Sequence, residues 1–420
     1  LDETNVGRAV KRISQVQSAS TMEANQRIYD DIVNYFSLRQ DGFTSSLTVK
    51  IIDFDHPENN IFRATNQYQV LGHSDKIIPD IVLFVNGLPL VTIECKSPTI
   101  NRPLEHGIND LIGYQKAAPR LFEYNQVLVA TSGAKTAYSA IDADARFFHR
   151  WRIPYPISKE EIQAITGNKP NGQDILLASL CEPARFLDFV RNFTAFETDQ
   201  GRTVKKIARY QQVRAVNKAM ERIKKADSRK SRGGVIWHTQ GSGKSLTMLW
   251  LALKLRRPEE SVNLGEMENP TVIIVTDRRD LDKQITGTFK RCGFPNPVTA
   301  KDSEHLRQLL KDGAKKTILT TVQKFQTQDD KPYPELSRDS NIVIMVDEAH
   351  RTQYKGLATN MRTALPNAVY FGFSGTPIDK KDRSTPRTFG TYIDTYTIQE
   401  SVADNATVEI RYDARLPNLH

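Results

Sequence analysis

The sequence predicts an α/β chain in two unlike parts: a mixed α/β region first, then a region built on a parallel sheet. Three observations predict it. Residues 78–98 read IPDIVLFVNGLPLVTIECKSP, two apolar β-type runs on either side of Asn86-Gly87, a pair that strongly favours a hairpin. After about residue 199, the short runs GGVIWHT, TVIIVT, KTILTT, NIVIMVD and AVYFGFS alternate with helix-length stretches. Apolar on both faces, such runs suit strands of a parallel sheet covered by helices. Finally, 39% hydrophobic and 25% charged residues among 420 are ordinary for globular domains and exclude disordered and fibrous classes.

Each element can then be placed in order. The first forty residues lack proline and put Ile28, Ile32, Val33, Tyr35 and Phe36 on one stripe at helical spacing, so helix is expected there. From Thr48 to Val70, β-rich runs are broken by the turn cluster DFDHPENN. After the hairpin, QVLVAT (126–131) reads as a further strand, and residues 150–175 as loops around a short helix. No apolar run approaches the ~20 residues of a membrane helix, so no membrane partner is expected. The start, LDETNVGRAV, lacks a basic-then-apolar secretory pattern. Cys95, Cys181 and Cys292 are lone, which excludes a disulfide framework and CxxC metal sites and suits a reducing, cytoplasmic setting.

Charge is concentrated. The formal net charge is +9, yet Arg202 to Arg232 alone holds twelve Lys/Arg against Glu221 and Asp227, so the whole excess sits in that stretch. Clustered cations gain affinity for a polyanion by releasing phosphate counterions. The same run can also be a solvated helix face. Both readings stay open on charge alone.

The first strand of the second part ends in HTQGSGKS (238–245), and LTMLWLALKLRR follows as helix. The glycines Gly241 and Gly243 would let the loop bend so that backbone N–H groups and the helix start face phosphates, with Thr239 and Ser242 in the same nucleotide-binding loop. Lys244 would reach the β/γ-phosphates and the Ser245 hydroxyl would ligate Mg²⁺. His238 stands where the general phosphate-loop pattern has its first glycine. The strand NIVIMV runs into Asp347-Glu348-Ala349-His350. Hydrolysis of a phosphoanhydride needs one carboxylate to hold the cation, assigned to Asp347, and a second group to position water, assigned to Glu348. The bland alternative is an acidic cap on a helix start.

In the first part, Asp80 and Glu94-x-Lys96 form a D…ExK pattern. Two carboxylates can hold a hard cation against a phosphodiester while a lysine stabilises charge or orients water. A surface strand with scattered charges explains many such matches. Here the flanking runs are apolar, so a charged trio at their ends is costly unless it binds something. Glu94 and Lys96 share a strand face. A two-residue turn would pair Asp80 with Ile93. A three-residue turn, Asn86 to Leu88, with Gly87 left-handed and a glycine bulge pairs it with Glu94, and that register is expected.

These motifs carry a resemblance. GSGKS, DEAH and Ser374-Gly375-Thr376-Pro377 resemble motifs I, II and III of superfamily 2 helicase-type motors, which implies a RecA-like fold and ATP with Mg²⁺ as cofactors. RYQQVRAV resembles their adenine-reading Q motif, with Gln212 matching best and Gln211 second. VTDRRDLDKQ, with Asp277 to Gln284, and TTVQKF (Thr320 to Phe325) resemble their DNA-tracking segments. PENN, the wording of residues 79–97, ATSG, and LDFVRNFTAFE leading into KKIARYQQ resemble the R (restriction and translocation) subunits of type I restriction enzymes. The likeness runs from about residue 50 to the end. It implies a PD-(D/E)xK nuclease-like mixed α/β domain over 1–198, including a connecting segment. A RecA-like parallel α/β motor domain over 199–385 would follow, and 386–420 would begin the passage into a second lobe. Only 43 residues follow Pro377, too few for that lobe, so half of an ATPase site is expected and no arginine finger. The family's QxxxY motif falls on Asp110-Leu-Ile-Gly-Tyr114. Tyr114 carries over; Asp110 stands where the pattern has Gln.

The function expected is therefore ATP-dependent, Mg²⁺-requiring cleavage of unmethylated foreign double-stranded DNA, with methyltransferase and specificity subunits as implied partners. Two rivals are a stand-alone DNA-repair helicase-nuclease, which would act on DNA ends without partners, and a DNA-binding ATPase whose nuclease fold only grips DNA.

Overall fold

The computed structural model describes residues 3–39, 46–72, 75–226, 231–257, 267–277, 279–312, 315–326, 333–349, 354–376 and 389–409. The chain divides into two compact units, Leu1–Arg214 with Gly287–Pro295, and Ala215–Thr286 with Asn296–His420.

In the first unit the expected helical start is two helices, α1 (Glu3–Ser14) and α2 (Thr21–Val33), followed by strand β1 (Phe36–Arg39). The break falls where Ser20 caps α2, its Oγ accepting from Glu23 N at 3.2 Å while the Glu23 carboxylate accepts from Ala19 N. A side chain that satisfies the orphan N–H groups of a new helix favours starting one there. β1 pairs antiparallel with β2 (Ser46–Val49).

The main sheet of this unit follows. β3 (Phe62–Asn66), the short pair β4 (Val70–Leu71) and β5 (Lys76–Ile77), then β6 (Ile81–Val85) and β7 (Leu88–Cys95) lead to helix α3 (Pro103–Ala117). After α4 (Pro119–Phe122) come β8 (Val127–Thr131) and β9 (Thr136–Ser139). The sheet order is β3-β6-β7-β8-β9, antiparallel except for β7 and β8, which are parallel and joined across α3. Every residue of β8 is buried, as its uninterrupted apolar run requires. α3 packs on this sheet at Gly107, where a Cβ would make ordinary contacts, 3.4 Å from Ala130 Cβ and 3.5 Å from Lys96 Cγ. Helices α5 (Lys159–Thr166), α6 (Gly172–Leu180) and α7 (Pro183–Asn192) and the hairpin β10 (Thr194–Asp199)–β11 (Arg202–Ile207) follow. Trp151 anchors them, packing against Tyr138, Phe189 and Tyr210.

The hairpin β6–β7 corrects the expected turn. Val85 pairs with Leu88, so the loop is the two residues Asn86 and Gly87, both left-handed at φ +50° and +83°. That combination matches strand twist, and Asn-Gly adopts it readily. The extra residue is instead Leu90, in the strand: Phe84 pairs with Pro89 and Leu83 with Val91. Pro89 lacks the N–H a ladder needs, so pairing slips beside it. From Leu83 the ladder runs to Ile81 opposite Ile93, and one step further sets Asp80 opposite Glu94.

Helix α8 (Tyr210–Lys225) holds the division between the units. Beyond it lie β12 (Gly234–His238), α9 (Lys244–Arg256), β13 (Thr271–Thr276), α10 (Arg279–Arg291), β14 (Val298–Thr299) and α11 (Ser303–Lys311). β15 (Thr317–Thr321), β16 (Ile342–Val346), α12 (Tyr354–Ala364), β17 (Val369–Ser374), β18 (Tyr392–Tyr396) and α13 (Ile398–Ala403) complete the described elements. Seven strands form one parallel sheet in the order β14-β15-β13-β16-β17-β12-β18. The five apolar runs are its interior. The two strands not anticipated, β14 and β18, are its edges, where two residues and the half-polar YIDTY give no buried-strand signal.

Burial also redraws the basic stretch. Lys205 is 3% exposed, and its ammonium donates to Asn25 Oδ1 at 2.8 Å, Gln126 Oε1 at 2.6 Å and Asn125 O at 3.3 Å. The rings of Tyr29 and Phe196 also face it. Burial among neutral partners pushes its pKa well below the ordinary lysine value. Lys206 is paired with Glu197, Arg214 is buried, and Lys225 meets Glu221 at 3.0 Å. Lys224 is exposed, whereas Arg229 and Lys230 lie outside the described residues.

Candidate functional site

The first candidate site forms where β6, β7 and α3 meet. Asp80 ends the loop before β6; its Oδ2 accepts from Cys95 N and its Oδ1 from Gln67 Nε2, both at 2.8 Å. Glu94 is 2% exposed near the end of β7. Its Oε1 receives Lys96 Nζ at 2.6 Å and lies 3.5 Å from the Tyr114 hydroxyl, while its Oε2 is buried with no hydrogen-bond partner. Lys96 is held from its other side by Asp110 Oδ2 at 2.7 Å. Tyr114 and Asp110 sit one turn apart on α3, so that helix presents both to the strand.

The electrostatics follow from burial and charge density. Burial raises the Glu94 pKa, the bond from Lys96 opposes the rise, and the charge of Asp80 adds to it. Burial lowers that of Lys96, but bonds from Asp110 and Glu94 outweigh it and hold the ammonium charged. The Tyr114 hydroxyl is pushed up to about 12 by burial and the nearby Glu94 and Asp110 charges. Lys96 is therefore a fixed cation rather than a proton acceptor. A buried carboxylate oxygen without a donor is unstable unless something positive reaches it. Asp80 and Glu94 thus fit a hard divalent cation in donor type, although no cluster of three or more His, Cys, Asp or Glu suited to a metal occurs among the described residues.

The second candidate site forms at the C-terminal end of β12. The loop to α9 turns through Gly241 and Gly243, left-handed at φ +82° and +88°, and Ser242 N donates to Thr239 O at 3.2 Å. Gly243 is the residue before the helix, so Lys244 and Ser245 begin α9, and the positive end of that helix dipole faces the loop, a setting that favours an anion. Lys244 Nζ lies beside Gly375, 3.0 Å from where a Cβ would stand, so the Ser374-Gly375-Thr376 segment borders the loop's lysine. Ser374 Oγ donates to Thr376 O at 3.0 Å. Asp347, 6% exposed, follows β16 and donates its N–H to Val275 O; Ala349 N donates to Phe373 O. Between them Glu348 is left-handed at φ +53°, a sparsely populated conformation for a residue with a side chain. Gln323 Nε2 donates to Asp277 O at 2.6 Å, joining two segments that the sequence marks separately.

Other expected residues fall elsewhere. Gln212 and Gln211 are both buried in the first turn of α8; Gln212 Oε1 accepts from Arg209 N at 2.8 Å, and Gln211 Nε2 has no hydrogen-bond partner. His350 and Pro377 lie outside the described residues. One residue the sequence did not flag is Asp394 on β18. It is 3% exposed, with Oδ2 at 2.9 Å from His238 Nε2 and Oδ1 at 2.9 Å from Lys218 Nζ. Nothing in the sequence marks it, because the half-polar run around it gives no buried-strand signal.

Comparison with known proteins follows the same division. Residues 211–420 match the family described as SWI2/SNF2 ATPase, and residues 1–146 match the type I restriction enzyme R protein N terminus. The type I restriction enzyme HindI endonuclease subunit of Haemophilus influenzae is 36% identical over 98% of this chain and 40% of its own length. A putative type I restriction enzyme MjaIXP endonuclease subunit of Methanocaldococcus jannaschii is 33% identical over 98% of this chain and 41% of its own. This chain therefore spans about 40% of those relatives. A solved fragment of a putative HsdR subunit from Vibrio vulnificus aligns with 81% of this chain and 56% of that one, at 16% identity and TM-score 0.31.

Proposed function

The chain belongs to the SWI2/SNF2 ATPase family through residues 211–420 and carries the N-terminal domain of type I restriction R proteins, and from that premise we propose that it is the nuclease and first motor part of such a subunit. It would cleave unmethylated double-stranded DNA in an ATP-dependent, Mg²⁺-requiring reaction. The observation that carries this reading is the convergence of Asp80, Glu94 and Lys96, with Glu94 Oε2 unsatisfied, in a chain that also holds the Gly241–Ser245 loop.

In the proposed mechanism, Asp80 and Glu94 would hold Mg²⁺, which would supply polarisation of the phosphodiester. Lys96, fixed by Glu94 and Asp110, donates to the charge that grows on the phosphate. Asp110, in the place of the family's Gln, acts by gripping that lysine, and Tyr114 borders the same carboxylate. In the motor, the loop of Thr239, Gly241, Ser242 and Gly243 cradles phosphates and Lys244 contacts the β/γ groups. Ser245 and Asp347 would hold the nucleotide's Mg²⁺, and Glu348 would orient water. Gln212 reads adenine. His350 joins the nucleotide-binding set, and Ser374 and Thr376 flank the Gly375 that borders Lys244. The proposed partners are DNA along the exposed cations of the basic stretch, and methyltransferase and specificity subunits. The proposed setting is the cytoplasm; no described helix is long and apolar enough to cross a membrane.

The test is cleavage of methylated and unmethylated circular DNA by the full-length subunit, with and without partner subunits. ATP-dependent cutting of unmethylated circles only with partners is expected. Equal cutting of both, or cutting of ends without partners, would overturn it.

A further inference from the structure

The segment Thr391–Thr407 runs along the root of the Gly241–Ser245 loop and touches it three ways. Asp394 and Tyr396 lie on β18, which pairs with β12 in the register Ile236↔Asp394 and His238↔Tyr396. At the end of the pairing, Thr239 N donates to Tyr396 O at 3.0 Å. The Asp394 carboxylate holds His238 Nε2, the last residue before the loop turns. Beyond α13, Thr407 Cγ2 would lie 3.2 Å from a Cβ built on Gly241, inside the loop itself.

Asp394 joins more than two strands. Its second oxygen holds Lys218, and Arg222, one turn on, donates to Thr391 Oγ1 at 3.0 Å and Tyr392 O at 3.4 Å. A carboxylate this buried is stable only because both oxygens meet donors. Its position is therefore dictated by His238 and Lys218, and theirs by it.

We propose that Asp394 is a positioning residue for nucleotide binding: through His238 it holds the loop's root in the shape that receives phosphates, and through Lys218 it ties that shape to α8. The residue does not itself reach a phosphate. The proposal rests on reading Gly241–Ser245 as the ATP-phosphate loop.

In the full-length protein, Asp394→Asn keeps the size of the side chain and removes the charge that holds both partners. KM for ATP and the Kd of a non-hydrolysable ATP analogue should rise roughly tenfold together, with kcat at saturating ATP within about threefold. A purely structural role gives a different pattern, because a smaller folded fraction lowers kcat and leaves KM alone. Lys218→Met, at a half-exposed side chain, should raise KM by roughly threefold and serves if Asp394→Asn does not fold. An unchanged KM in the folded variant overturns the proposal. Lys244→Ala separates it from the reading beneath it: if that change leaves ATP binding untouched, the loop assignment has failed, whatever Asp394 does.

Discussion

Glu94 and Glu348 are carboxylates at strand ends, but they are held by different means. Glu94 depends on distant residues: an antiparallel ladder sets it opposite the place of Asp80, and side chains from α3 and the next turn surround it. Glu348 is held by its own backbone, left-handed between Asp347, which bonds to β13, and Ala349, which bonds to β17. The difference teaches where each kind of site can fail. A contiguous motif carries its geometry in consecutive peptide units. A dispersed one borrows it from register and packing, and can be lost through a change far from any charge.

The sharpest way to break the comparison is at the dispersed trio. Asp80→Ala, Glu94→Ala or Lys96→Ala should each lower cleavage by the assembled enzyme at least ~10³-fold, with ATP hydrolysis within about twofold. Loss of both activities together would show that the sites are not independent. Next come the contiguous motifs. Glu348→Gln should retain ATP binding and lose roughly 10²- to 10³-fold in hydrolysis, whereas Lys244→Ala should lose binding itself. Hydrolysis at the parental rate in Glu348→Gln would remove its role.

Smaller effects sharpen the contrast. Asp110→Asn leaves Glu94 to hold Lys96 alone, and cleavage should fall about three- to tenfold without change in ATP turnover. Lys224→Ala should reduce the slope of log DNA affinity against log salt by roughly one unit if it meets a phosphate. An unchanged slope makes that face simply solvated. The smallest effect concerns stability. Burial, with the nearby Arg209 charge, holds His149 in the first unit down to about 3, far below an ordinary histidine. The unfolded chain takes up a proton near pH 6.5 that the native state refuses, so stability should fall as pH drops from ~6.5 toward ~3. His149→Gln should flatten that decline in a series of melting temperatures.

The same contrast explains what the sequence made legible. HTQGSGKS and DEAH could be placed on strand ends because a buried apolar run precedes each directly. At the hairpin, the residues and the pairing of Asp80 with Glu94 were readable, but the cause was not. Nothing local says that the odd residue is Leu90 rather than a third turn residue; Pro89 is the only hint. Asp394 was invisible because its partners, His238 and Lys218, are more than 150 residues away. Lys205 falls within the basic stretch because its neighbours in sequence are charged, whereas its neighbours in space are two amides, a carbonyl and two rings.

The bulge at Leu90 makes the hairpin a parity device. Strand faces alternate, so every residue added or lost between the Asn86-Gly87 turn and Glu94 exchanges inside for outside. A one-residue change would turn Glu94 and Lys96 away from Asp80 and aim Ile93 and Cys95 in their stead, with hardly any difference in composition. A two-residue change would leave the faces alone and merely slide the trio along the ladder. In length variants of this hairpin, even and odd changes should therefore sort into two classes, and only the even class keeps the charged face of β7 toward the Asp80 loop.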